Sequence, residues 1–201
     1  MRSLLRVVSV TVFCAFLGSV QAAAGFDDAA EAYARGRYAA ALAEWERLAK
    51  AGDAAAQFRL GEMLRDAKGV RWADFEGAAA WFRRAAAQGN VDAAYALGRL
   101  HYEGFIVPRD TAEMLSALAG AARQGDARAL VTLGVVYEYG LDNIDPDLTQ
   151  ALKWYDLAAG RGVVQLDAKI EKLSRRVRDK MTAAQIAEAQ RLAQAWNPAV
   201  E

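Results

Sequence analysis

The chain has 201 residues, of which 54% are hydrophobic and 25% charged, enough apolar side chain to bury a core and too much for a disordered polypeptide. Alanine fills 46 positions and proline only 3, a usage that favours packed helices and argues against an all-β fold. Lys+Arg and Asp+Glu cancel at 25 each, so no basic field exists to hold a nucleic-acid backbone.

Arg2 and Arg6 flank the start of an apolar stretch from Val7 to about Val20, which ends in Ala22, Ala23 and Ala24 before Gly25. A membrane span needs about 20 apolar residues. This stretch is shorter, carries Ser9, Thr11 and Ser19, and closes on an A-x-A cleavage pattern, so residues 1–24 read as a secretory signal peptide. The expected product is periplasmic or secreted, with no stable membrane anchor after cleavage. Without Arg2 and Arg6 it carries 23 basic against 25 acidic side chains over about 177 residues. Cys14, the one cysteine, lies inside the leader behind Val12 and Phe13, which is not a lipoprotein pattern. The mature chain then has no thiol for disulfides, nucleophilic catalysis or thiolate metal sites.

Residues 25–52 contain Tyr33, the run Arg35-Gly36-Arg37-Tyr38, and Trp45, and read as an N-terminal capping helix pair. Beyond them the chain repeats. Gly61, Gly98 and Gly134, each preceded by leucine, are 37 and 36 residues apart. Gly52, Gly89, Gly125 and Gly162 keep the same step, and Asp74, Asp110 and Asp147 follow it too. A fixed period of this size is the mark of a solenoid. The register divides the chain into repeats at 53–89, 90–125 and 126–162, followed by C-terminal capping helices over 163–201.

Each repeat resolves into two helices. The first carries Leu-Gly in mid-helix, where glycine costs about 1 kcal/mol against alanine, so close approach of a neighbouring helix is expected there. The second starts at the recurring aspartate, read as an N-cap, with Glu113 or Gln150 three residues on as a reciprocal partner. It ends at Gly89, Gly125 or Gly162, where a left-handed residue closes the helix. Residues 163–179 are expected to form one further helix and Thr182 to about Trp196 the last, stopped by Pro198. Terminal units of this kind hide the last apolar face of a solenoid.

These residues resemble Sel-1-like repeats, a family related to tetratricopeptide repeats. The likeness rests on Tyr95-Ala-Leu-Gly98 with Gly104, on Asp74, Ala78, Trp81-Phe82, Ala85-Ala86 and Gly89, and on Leu133-Gly134, Tyr137, Gly140, Asp147, Ala151, Trp154-Tyr155, Ala158-Ala159 and Gly162. Departures are Leu64 and His101 at the tyrosine position and Ala117 at the tryptophan position. The resemblance implies an all-α fold, an α/α solenoid whose stacked helix pairs form a right-handed superhelix.

Few residues speak for chemistry. His101, the one histidine, sits at the position of Tyr137 in the next repeat and reads as a packing residue, with no nucleophile pattern beside it. Asp142, Asn143, Asp145 and Asp147 lack the spacing of a calcium loop, since Pro146 interrupts them and the twelfth residue is Lys153. No phosphate loop, nucleotide fingerprint or nucleophile elbow occurs. No catalytic residue, cofactor or metal ligand is expected. Trp81, Phe82, Trp154 and Tyr155 read as aromatic cement between helices. The basic run Lys169, Lys172, Arg175, Arg176, Arg178 and Lys180 is interleaved with Glu171 and Asp179 and reads as a solvated face.

The resemblance further implies that the first helix of each pair lines a concave face. Counting from Leu-Gly, that face would present Phe58, Glu62 and Arg65, then Tyr95, Arg99, Tyr102 and Glu103, then Val131, Val135, Glu138 and Tyr139. Aromatic groups with alternating charge suit an extended peptide. The expected function is a non-enzymatic adaptor that binds a protein or peptide. Two alternatives stand beside it: a cell-wall or β-lactam-directed hydrolase, as implied by cysteine-rich secreted members of the family, and a structural or signalling subunit of a larger envelope complex.

Overall fold

The computed structural model describes residues 25–104 and 110–197, so the expected leader lies outside the described residues. Ten helices account for them: α1 at residues 25–34, α2 Tyr38–Lys50, α3 Ala54–Arg65, α4 Phe75–Ala87, α5 Val91–Glu103, α6 Thr111–Arg123, α7 Ala127–Tyr139, α8 Leu148–Ala159, α9 Val164–Arg178 and α10 Ala183–Ala195. The one extended pairing among the described residues is a single bridge between Leu141 and Ile144. The fold is an all-α solenoid of helix pairs. It divides after Ala85, in the last turn of α4, into two compact units.

In the first unit Trp45, Leu48, Leu60 and Met63 form a core with the alanines at 29, 32, 41, 49 and 56. Small residues at these points let three helices close on Trp45. The Tyr33 ring lies 5.6 Å from that of Trp45 and 5.2 Å from that of Tyr38, and Phe26 lies 6.0 Å from Trp45. Gly36, at φ +73°, makes the sharp turn between α1 and α2 that brings these rings together. The α3 helix starts on Asp53, whose carboxylate accepts from the Ala56 N–H at 2.8 Å.

The second unit is centred on Met114, Leu118, Leu130, Leu133, Leu152 and Tyr155, and the terminal helices join it through Ile170, Val177, Ala189 and Trp196. The α10 helix packs on α8, where Trp196 meets Trp154 edge-on at 5.9 Å, so the last aromatic of the chain shields the last repeat. The α9 helix packs on α8 and also reaches α7.

The mid-helix glycines sit where a second helix comes closest. A methyl group added to Gly61 would stand 2.6 Å from the Phe82 ring, one added to Gly98 would stand 2.6 Å from Leu118, and one added to Gly134 would overlap the Tyr155 ring. The aspartate caps also form: Asp74 accepts from Gly77 N–H, Asp110 from Glu113 N–H, and Asp147 from Thr149 and Gln150 N–H. The reciprocal half of the expectation differs. Glu113 turns its carboxylate toward His101 instead of back to the cap. The full capping box lies at Thr182 and Gln185, at the start of α10. Gly89, Gly125 and Gly162 close their helices at φ +86°, +87° and +63°.

Candidate binding surfaces

The side chains expected on one concave face fall into two groups, one in each unit. In the first unit Phe58 is half-buried, with its ring 5.7 Å from that of Phe82, so it serves the α3–α4 contact as well as the surface. Glu62 pairs with Arg59 at 2.8 Å and lies 3.8 Å from Arg65, while Arg65 holds Asp66 at 2.7 Å. These four charges form a ladder along α3, and the hydrogen bond to Asp66 raises the Arg65 pKa further above its ordinary value.

In the second unit Arg99 and Glu103 of α5 are exposed, and Tyr95 is partly buried. Two guanidinium groups approach the Tyr95 ring, Arg128 at 4.6 Å and Arg99 at 6.0 Å from its centre, and Arg99 donates to the Tyr95 hydroxyl at 3.3 Å. Arg99 also pairs with Glu103 one turn on, and both are exposed. Tyr102 is half-buried against the core. Arg128 is fixed by Asp126, the N-cap of α7, and by Asp92 of α5 at 2.6 Å, so it staples two consecutive repeats. These bonds, that of Asp126 foremost, raise its pKa beyond the usual guanidinium range.

Two of the expected surface residues are corrected by the structure. Val131 is 5% exposed and belongs to the core, because α7 is packed by α6, α8 and α9 and little of its surface remains open. Glu138 is also 5% exposed. Its carboxylate accepts from Arg176 at 2.8 and 2.6 Å and from the Tyr155 hydroxyl at 2.9 Å, which makes it a joint between α7, α8 and α9. Burial, then the bond to Glu138, pushes the Tyr155 phenol well above its ordinary pKa, and the same carboxylate raises that of Arg176. Val135 is partly buried, whereas Tyr139 is 60% exposed with Arg176 5.5 Å from its ring centre.

His101 is 3% exposed. Its Nδ1 accepts from the Asp110 N–H at 3.3 Å, which places the proton of a neutral ring on Nε2, 2.9 Å from Glu113. The ring thus ties the end of α5 to the start of α6. Among the described residues no three His, Cys, Asp or Glu side chains gather as a metal site, and no helix is long and apolar enough to cross a membrane. Along α9, Arg175 pairs with Glu171 at 2.5 Å and Arg178 with Asp156 at 2.6 Å, so much of the basic run is satisfied locally. A shallow 480 Å³ concavity follows this helix past Lys172 and Lys180.

A feature the sequence pattern did not indicate lies in the first unit. A cavity of 330 Å³ opens between α1, α2 and α3. Phe26, Tyr33, Trp45 and Met63 line it, and Arg59, Glu62 and Asp66 supply its polar groups. Of these only Glu62 was expected at a site, since the apolar four come from three different helices with no common spacing.

The Sel1 repeat family profile matches residues 54–90, 91–113 and 127–163. The chain is a Sel1-repeat protein. Its Sel1 helix pairs are α3–α4, α5–α6 and α7–α8, and the second match stops at residue 113, before the alanine that replaces the pattern's tryptophan at 117. Among solved structures it is similar to a protective antigen of uropathogenic Escherichia coli strains that displays an SLR fold, at 30% identity and a TM-score of 0.67, over 77% of this chain and 32% of that one. It is also similar to a Sel1 repeat protein from Oxalobacter formigenes, at 26% identity and a TM-score of 0.67, over 86% of this chain and 72% of that one. This Sel1-repeat chain thus spans about a third of the length of the first relative. No curated protein matches it.

Proposed function

We propose that the chain is an exported, non-catalytic scaffold that holds a protein or peptide partner in the cell envelope. Sel1-repeat proteins are generally helical scaffolds that commonly mediate protein interactions, and the leader-like residues 1–24 support export. The observation that carries the reading is the partly exposed face of α5 around Arg99 and Glu103. Tyr95 is held by Arg128 near its ring and by Arg99 at its hydroxyl, Glu103 balances Arg99, and Tyr102 stands one turn beyond Arg99. Rigid aromatics with paired charges hold a partner at low entropic cost. The hydrolase alternative draws no support from His101, whose ring is buried with Nδ1 accepting from the Asp110 N–H.

The test is affinity capture from envelope extract with the tagged chain and with the triple variant Tyr95→Ala, Arg99→Ala, Tyr102→Ala. The variant is expected to lose the partner while keeping its helical circular dichroism. Undiminished recovery would refute the assignment of this face. Export is checked separately by intact mass: the fractionated protein should lack residues 1–24, and a full-length mass in the cytoplasm refutes that part.

A further inference from the structure

The geometry points to the cavity between α1, α2 and α3 as an anchor pocket for one large apolar side chain of an extended peptide, a reading that rests on the scaffold role proposed above. Three observations carry it. The walls are aromatic and thioether groups, Phe26, Tyr33, Trp45 and Met63, whose soft surfaces accept a planar or branched side chain. The volume of 330 Å³ sits at the low end of the roughly 300–1,000 Å³ usual for ligand sites, room for one bulky side chain rather than a cofactor. Trp45, which forms part of the wall and is 3% exposed, has a buried indole N–H with no acceptor among the described residues. A buried donor without an acceptor is rare in a folded protein, so the ring that walls the cavity also carries a reporter N–H sensitive to what enters.

The rim decides between ligand classes. Arg59 offers donors, Glu62 and Asp66 offer acceptors, and Arg65 balances the ladder. Counted with Arg65, which pairs with Asp66 from beside the lining, its charges cancel. Such a rim has no field to hold a phosphate or an ammonium group, but it matches the alternating C=O and N–H groups of a peptide backbone, with Arg59 donating to a carbonyl and a carboxylate accepting from an amide. The chain would enter across α3 with its apolar side chain directed at Trp45.

The test uses the full chain, ¹⁵N-labelled, with three blocked pentapeptides, acetyl-Gly-Ser-X-Ser-Gly-amide, where X is Phe, Leu or Ser. The readout is the Trp45 indole resonance, identified by its loss in Trp45→Phe. Peptides with Phe or Leu are expected to shift it saturably and to bind roughly 10- to 100-fold more tightly than the Ser peptide, the factor set by burying one such side chain. Ala30→Phe, which fills the cavity from α1, should abolish the shift with helix content retained. Arg59→Ala, at an exposed position, should weaken the Phe peptide about three- to tenfold, the worth of one hydrogen bond. Equal titration by all three peptides, or benzyl alcohol binding as tightly as the Phe peptide, would overturn the assignment. The same holds for a shift that survives both variants. A silent Trp45 resonance together with partner loss in the α5 triple variant would remove this pocket and leave the scaffold reading intact; the opposite pair of results would remove the α5 face alone.

Discussion

Gly134→Ala isolates what the solenoid gains from its mid-helix glycines. In an ordinary helix this change stabilises by up to about 1 kcal/mol, because alanine gives up less backbone freedom on folding. Here the added methyl group meets the Tyr155 ring, which is fully buried and cannot swing aside while its hydroxyl donates to Glu138. Overpacking of this kind costs about 1–3 kcal/mol. Gly120, in α6 of the same unit, is the matched control. A methyl group there finds nothing nearer than the Arg123 guanidinium at 3.9 Å, at the end of a flexible side chain. The propensity gain is common to both sites and cancels in their difference, so the gap between the variants is the overpacking cost alone. Gly120→Ala should stabilise by roughly 0.5–1 kcal/mol. Gly134→Ala should melt about 2–12 °C below it, at 2–4 °C per kcal/mol for a chain of this size. Paired thermal and urea denaturation measures this. If both variants stabilise equally, close helix approach is not why glycine stands in the Leu-Gly register.

Three further outcomes follow from the same unit. Tyr155→Phe should cost roughly 1–3 kcal/mol, the value of a hydrogen bond to a charged acceptor. The folded-state pKa of Tyr155 is raised, so its contribution is fully present below the unfolded value near 10 and is lost as pH climbs above it; urea midpoints of the wild type should fall there more steeply than those of Tyr155→Phe, and parallel curves would refute the coupling. Glu138→Ala should cost roughly 2–3 kcal/mol, below the 3–5 typical when an orphaned charge stays buried, because the Arg176 side chain is 38% exposed and can rehydrate; an unchanged urea midpoint would refute the joint. Gly89→Ala meets no atom within 4 Å but holds alanine at φ +86°, so it should cost about 1–2 kcal/mol through the backbone alone, and a neutral midpoint would show that the turn relaxes.

The legible part of this protein was the part written in local spacing. A period of 36–37 residues, an aspartate before each second helix and a glycine after it are one-dimensional signals, because capping and helix closure use backbone groups within three or four residues of the side chain concerned. The Leu-Gly mark said that something must approach closely; that the partners are Phe82, Leu118 and Tyr155 follows from the repeat, since each lies 20 or 21 residues further on in the second helix of its pair. The surface was harder to read. Glu138 counts as an outward position of α7 by helical periodicity, and it is buried because α9 returns over it carrying Arg176, 38 residues away in sequence. Period-based counting assumes a free face and has no knowledge of what the terminal helices cover.

By itself, then, the sequence determined the helix pairs, their order, their caps and the family, all of which depend on contacts within one repeat length. Tertiary structure decided which faces stay open. The capping helices break the repeat, and the docking of α9 removed Glu138 from the α7 surface, while Val131 is buried in the core of its unit. At the other end, α1 and α2 close around Trp45 and leave a cavity that its ring helps to line. Those outcomes hang on side chains brought together from three helices at once, and no spacing along a single helix encodes them.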